Sequence, residues 1–150
     1  FEHAIGWLEE NERADISCVV HLRPTTPLRP EGLIDHGISK LLGSNADSLR
    51  AVCEPLNNPF KMWKIEDNGL MVPLVETEVV EAFNQPRQAL PACFWQTGTL
   101  DVIKINTLKV LKSMTGNNAL SLVIDKSIAV DIDDEASLKY AEEICALHGM

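Results

Sequence analysis

The chain has 150 residues, of which 45% are apolar and 23% charged, and its formal net charge is −9. Such a composition fits a folded globular domain rather than a disordered chain. The acidic balance argues against a nucleic-acid partner, since phosphates need a concentrated basic surface, although local arginines can still take small anions.

No stretch approaches the roughly 20 apolar residues that a membrane span needs, and no basic-then-apolar secretory pattern opens the chain, so no membrane partner is expected. Cysteines at 18, 53, 93 and 145 are spaced too widely for a metal knuckle. They are read as reduced thiols of a cytoplasmic protein. The chain opens at Phe1 already in helical pattern, which fits a fragment of a longer protein.

Ala4, Ile5, Trp7 and Leu8 predict a short first helix that closes in the charged run 9–13. Ile16 to Leu22 is mostly apolar and partly β-branched, as expected of a strand covered on both faces. It runs directly into His21-Leu22-Arg23-Pro24-Thr25-Thr26-Pro27-Leu28-Arg29-Pro30. Pro30-Glu31-Gly32 is expected to open the next helix, whose apolar face is Leu33, Ile34, Gly37, Ile38, Leu41 and Leu42. Asp47 to Cys53 reads as a second strand, giving the alternation of a parallel α/β sheet.

The pattern then changes. Pro55, Asn57, Asn58 and Pro59 form a loop, and the apolar runs 61–65 and 70–75 flank Glu66-Asp67-Asn68-Gly69, a hairpin signal. An apolar hairpin that interrupts such a sheet is expected to project and to meet a partner chain. The alternation resumes with a strand at Leu100–Ile103, a helix near 106–112, a strand near 120–124 and a last helix. That helix is expected to turn Ala136, Tyr140, Ala141, Ile144, Cys145 and Leu147 inward.

Three constellations could carry chemistry. Asp131 and Asp133 are two apart, so in extended chain their carboxylates share a face and invite a hard cation such as Mg²⁺. The competing reading is that Asp133 or Asp134 caps the last helix. Arg23, Thr25 and Arg29 follow the carboxyl end of a strand, where open α/β sheets bind ligands, and guanidinium forks suit carboxylate or phosphate. Here the alternative is a proline-stiffened loop with solvated arginines. The third runs from Asn84 through Arg87, Gln88 and Pro91 to Phe94, Trp95 and Thr97. Its amides, arginine and rings could hold a polar sugar acid or simply lead into an aromatic cluster. The histidines at 3, 21, 36 and 148 share no ligand spacing, and no GxSxG, GxxxxGK[ST] or GxGxxG motif occurs.

Taken in order, these segments resemble the CMP-N-acylneuraminate cytidylyltransferase family, the CMP-sialic acid synthetases, over essentially the whole chain. The run 21–30 is similar to the family's strand-end Leu-Gln-Pro-Thr-Ser-Pro-Leu-Arg segment. Asp47-Ser48, the Pro-Arg-Gln-x-x-Pro run at 86–91 and Ser127–Asp133 also match. The resemblance implies a Rossmann-like, glycosyltransferase-A-like nucleotidyltransferase domain over 1–150, with a mostly parallel sheet and a dimerisation arm at about 55–90. It implies transfer of CMP from CTP to a nonulosonic acid in a homodimer. Asp131 and Asp133 would hold Mg²⁺ as the catalytic pair, and Arg23, Thr25, Arg29, Arg87, Gln88 and Phe94 would line the substrate pocket.

The chain departs from the family where Arg23 replaces Gln and where Phe94 and Thr97 replace Tyr and Asn. The family's first strand and Gly/Arg/Lys-rich nucleotide loop are missing, so this chain alone is expected to be inactive and its parent active. The alternative is a non-catalytic dimerising or sugar-binding module of the same fold.

Overall fold

The structure, a computed structural model, describes residues 1–148. They fall into two compact units, one of Phe1–Cys53 with the chain from Gln96 onward, the other of Glu54–Trp95.

The first unit is a mixed α/β fold compatible with a Rossmann-like class. Helix α1 (Glu2–Asn11) leads to β1 (Cys18–His21), α2 (Leu33–Leu42) and β2 (Ser48–Cys53). The later part supplies β5 (Trp95–Lys104), α3 (Ile105–Lys109), β6 (Ala119–Val123) and α4 (Glu135–His148). Strand order is β1-β5-β2-β6. Strands β2 and β6 pair in parallel, from Ser48 opposite Ala119 to Val52 opposite Val123. Strand β1 is antiparallel to β5, with Val19 opposite Ile103 and His21 opposite Asp101.

The expected mostly parallel sheet is therefore mixed. A parallel return needs a crossover, usually helical, and the intervening residues 54–94 carry no α-helix. Strand β1 also departs from expectation. It lies at one end of the strand order and all four of its residues are only half-buried, so its apolar run marks an edge rather than a doubly covered strand.

Alternation along the strands sorts the two faces. Leu49, Ala51, Leu100, Val102 and Leu122 pack with Leu41 of α2 and with Ala141 and Ile144 of α4. On the opposite face Ile103 packs with Ile5 of α1 and Leu108 of α3. Of the residues expected inward on α4, Ala141, Ile144 and Cys145 are, whereas Ala136, Tyr140 and Leu147 are exposed. Only a narrow stripe of that helix meets the sheet. Helix α2 begins two residues later than Pro30-Glu31 implied, because Gly32 at φ 75° takes the cap position and Leu33 N–H closes a turn on Pro30 C=O.

Gly37 lets α2 approach β5. A Cβ there would lie 2.7 Å from Leu100 Cδ2 in a fully buried setting. Gly37→Val is expected to cost about 1–3 kcal/mol by overpacking. Gly37→Ala is expected to cost less, since its gain in helix propensity, up to about 1 kcal/mol, offsets part of the strain. Urea unfolding of both variants checks the order.

The second unit contains the hairpin β3 (Trp63–Ile65) and β4 (Met71–Pro73), turned through Asn68-Gly69 as the sequence implies. Trp63 packs on Phe83 with centroids 4.5 Å apart and the rings tilted by 48°, and Ala82 and Leu90 are buried. Ile65, Leu70, Met71 and Val80 are largely exposed.

Candidate substrate and metal site

The chain leaves β1 through Arg23 and is then fastened to β5 by side chains. Thr26 is buried and its hydroxyl donates to Gly98 C=O at 3.0 Å. Arg29 donates through Nε to Thr99 C=O and through Nη2 to Arg23 C=O, both at 2.8 Å. Partial burial pushes the Arg29 guanidinium below its ordinary value. Most of its fork is thus spent on the loop backbone, which makes Arg29 the brace of the loop. Thr25 beside it is exposed.

The acidic segment reaches this loop through the main chain. Ile132 N–H donates to Thr25 C=O at 2.7 Å, so Asp131 and Asp133 flank a residue tied to the strand-end loop. Asp131 is half-buried and its Oδ1 is buried without a hydrogen-bond partner among the described residues; Asp133 is exposed. An orphaned carboxylate oxygen fits a cation ligand. Among the described residues no three acidic, histidine or cysteine side chains gather as a metal cage. Mg²⁺ commonly takes one or two carboxylates together with substrate phosphates, so the pair remains a suitable set.

The helix-cap role falls to Asp134. Its Oδ1 accepts Ser137 N–H at 2.7 Å, and Asp133 offers only a main-chain N–H to Ser137 Oγ. Hydrogen bonds from Ser137 hold the Asp134 carboxyl below the usual aspartate range. A depressed folded value stabilises α4 above the unfolded pKa, and this contribution is lost as pH falls through the folded value. Thermal midpoints are therefore expected to drop below about pH 4, with a shallower drop in Asp134→Asn, which caps without titrating.

A polar cluster, of which only Arg23 and Thr97 figure in the expectations, lies on the sheet face opposite the main core. Asp101, 2% exposed, turns Oδ2 toward Arg50 Nη1 at 3.5 Å, Arg23 Nη2 at 3.8 Å and His21 Nδ1 at 3.9 Å. Arg50 is braced in turn by Thr115 Oγ1 at 2.6 Å. Thr97 and Thr99 precede Asp101 on the same face and are also buried. The signal for this cluster was Thr97-x-Thr99-x-Asp101, three polar residues at strand period in an otherwise apolar run.

In the second unit, Arg87, Gln88 and Phe94 line one cavity of about 260 Å³, together with Asn58, Pro91 and Cys93. Arg87 Nη2 donates to the carbonyls of Pro55 and Leu56, which fixes the guanidinium at the cavity wall. Asn58 spends Oδ1 on Phe60 N–H, at the start of the 3-10 turn Pro59–Lys61, and among the described residues its amide donors have no partner. The expected sugar-acid residues from 87 to 94 thus share one cavity, which Asn58 joins without having been expected. No protein-family model matches the chain.

Proposed function

We propose that this chain carries much of a cytidylyltransferase domain, in which the anomeric hydroxyl of a nonulosonic acid attacks the α-phosphate of CTP. A new sugar O–P bond forms, the bond to the β-phosphate oxygen breaks, and pyrophosphate leaves. The observation that carries this reading is the Ile132 to Thr25 hydrogen bond. It ties the Arg23–Arg29 loop, at the carboxyl end of a strand, to the two-carboxylate segment.

Phosphoryl chemistry of this kind is mostly positioning and charge neutralisation. Asp131 and Asp133 would hold Mg²⁺, which supplies Lewis-acid neutralisation of the phosphates when bound. Arg87, with Nη2 spent on two carbonyls, offers its charge and its remaining Nε–H and Nη1–H donors to the sugar carboxylate, Gln88 and Asn58 offer amides to hydroxyls, and Phe94 offers an apolar face. The hairpin unit supports a homodimer, because a lone two-stranded hairpin is marginal in water and this one exposes Ile65, Leu70 and Met71.

The test is pyrophosphate release, with CTP, Mg²⁺ and a panel of sialic, legionaminic and pseudaminic acids. It uses the longest form of the protein that its coding region specifies. Release with one acid of the panel is expected; none with any of them, by a folded protein, would overturn the proposal and favour the non-catalytic module.

A further inference from the structure

The hairpin of the second unit turns through Asp67, Asn68 and Gly69, and Glu66 N–H donates to Leu70 C=O at 2.9 Å across its base. Gly69 has φ 81°, the left-handed conformation that closes such a loop, and a Cβ built on it would meet nothing within 4 Å. Glu66 to Leu70 are all exposed. Asn68-Gly69 is the one Asn-Gly step in the sequence.

The Asn68 side chain is held against the peptide that follows it. Its Oδ1 accepts Leu70 N–H at 2.8 Å, which closes a small ring through the Asn68–Gly69 bond, and its Nδ2 donates to Glu66 Oε2 at 3.4 Å. The Leu70 N–H polarises the side-chain carbonyl. It also stands where negative charge would develop if the Gly69 nitrogen added to Cγ. Glycine carries no side chain to shield that nitrogen.

We infer that Asn68 is a site of spontaneous covalent modification, the asparagine at which this chain deamidates first. Gly69 N bonds to Cγ and the Cγ–Nδ2 bond breaks. The proton of Gly69 N–H passes through water to the departing Nδ2, so that ammonia leaves and a cyclic imide remains. Water then adds to one of the two imide carbonyls, and ring opening gives aspartate or, with the main chain rerouted through Cβ and Cγ, isoaspartate. Water is the only co-reactant.

Two features set the rate. Gly69 N–H donates to Glu66 C=O at 2.8 Å, so the turn must open before that proton is lost, and the folded chain is expected to react more slowly than the unfolded one. The exposed asparagines Asn57, Asn84 and Asn117 precede Asn, Gln and Asn, whose side chains crowd the attacking nitrogen, so Asn68 is still expected to lead. The product in turn acts on the hairpin. A carboxylate replaces the donor to Glu66 in a turn that already carries Glu66 and Asp67, and isoaspartate lengthens the main chain there. Both changes oppose the β3–β4 pairing, which runs from Trp63 opposite Pro73 to Ile65 opposite Met71. The inference stands on the turn alone and does not depend on the transfer reaction proposed above.

The test incubates the protein for weeks at neutral pH and body temperature, folded in buffer and unfolded in urea. Mass spectrometry follows each asparagine, with aspartate and isoaspartate products separated by chromatography. In buffer Asn68 is expected to convert tenfold or more faster than Asn57, Asn84 or Asn117. Gly69→Ala is expected to slow the conversion in urea as well, where its effect on the turn plays no part. Amide exchange at Glu66 and Leu74, whose N–H groups bond across the hairpin, is expected to quicken in the converted protein; unchanged exchange would overturn the effect on the hairpin. An Asn68 that stays intact in buffer while the unfolded chain converts, or another asparagine that converts first, would overturn the inference itself. Either result leaves the pyrophosphate-release test standing on its own.

Discussion

Asp101→Asn is expected to destabilise the protein by about 3–5 kcal/mol, the range found when one partner of a buried ion pair is removed. The carboxylate is 2% exposed, and both Arg50 and Arg23 direct a terminal nitrogen at the same oxygen. Arg50 has only 19% of its side chain exposed and cannot readily turn to water, so deleting the negative charge leaves a positive one poorly solvated. Asparagine has nearly the same volume, which keeps a cavity from confusing the result.

For a chain of this length the loss corresponds to a fall in thermal midpoint on the order of 10 °C. A double variant, Asp101→Asn with Arg50→Gln, is expected to recover part of it, because it removes the orphaned charge as well. Calorimetry of the three proteins measures the coupling. A single variant as stable as the parent would show that the cluster contributes no net stability.

In the longest form of the protein that its coding region specifies, Asp131→Asn and Asp133→Ala are each expected to lower the rate of pyrophosphate release by on the order of 10²-fold or more, through lost charge stabilisation at the phosphates. The two should differ in the resting protein. Asp131 Oδ1 is buried and unpartnered, so its amide variant removes an uncompensated charge and is expected to be no less stable than the parent in metal-free buffer. Asp133 is exposed and its backbone N–H bonds Ser137, so its truncation is expected to leave stability unchanged. Addition of Mg²⁺ with CTP should raise the thermal midpoint of the parent by mass action and do so less in either variant. Normal turnover in Asp133→Ala would leave it a surface neighbour of the α4 cap.

Much of the architecture could be read from residue order. Leu33 to Leu42 repeats at helical spacing, Ser48 to Cys53 alternates, and Asn68-Gly69 sits between two apolar runs; the structure has the corresponding helix, strand and hairpin. Strand direction could not be read, because apolar alternation is the same in either sense. The antiparallel pairing of β5 with β1 follows from how the chain returns. Burial of β1 was over-read for a related reason: Cys18, Val19 and Val20 are apolar whether a strand lies inside or at an edge.

The candidate site divides in the same way. The Arg87, Gln88 and Phe94 group is close in sequence, and proximity along the chain carried into one cavity. Asp101, Arg50 and His21 come from three strands, so no local pattern could unite them. The loop arginines looked alike in sequence, and only hydrogen-bond geometry separates Arg29, which is spent, from Arg23, which is not.

The Ile132 to Thr25 hydrogen bond joins two backbones and asks nothing of either side chain. Substitutions at these two positions, proline at 132 excepted, can therefore change the lining beside the acidic pair while the tie itself persists. In evolutionary terms that separates two traits. Ligand preference can drift through Thr25 and its neighbours one mutation at a time, while the spacing of the carboxylates from the strand end stays inherited.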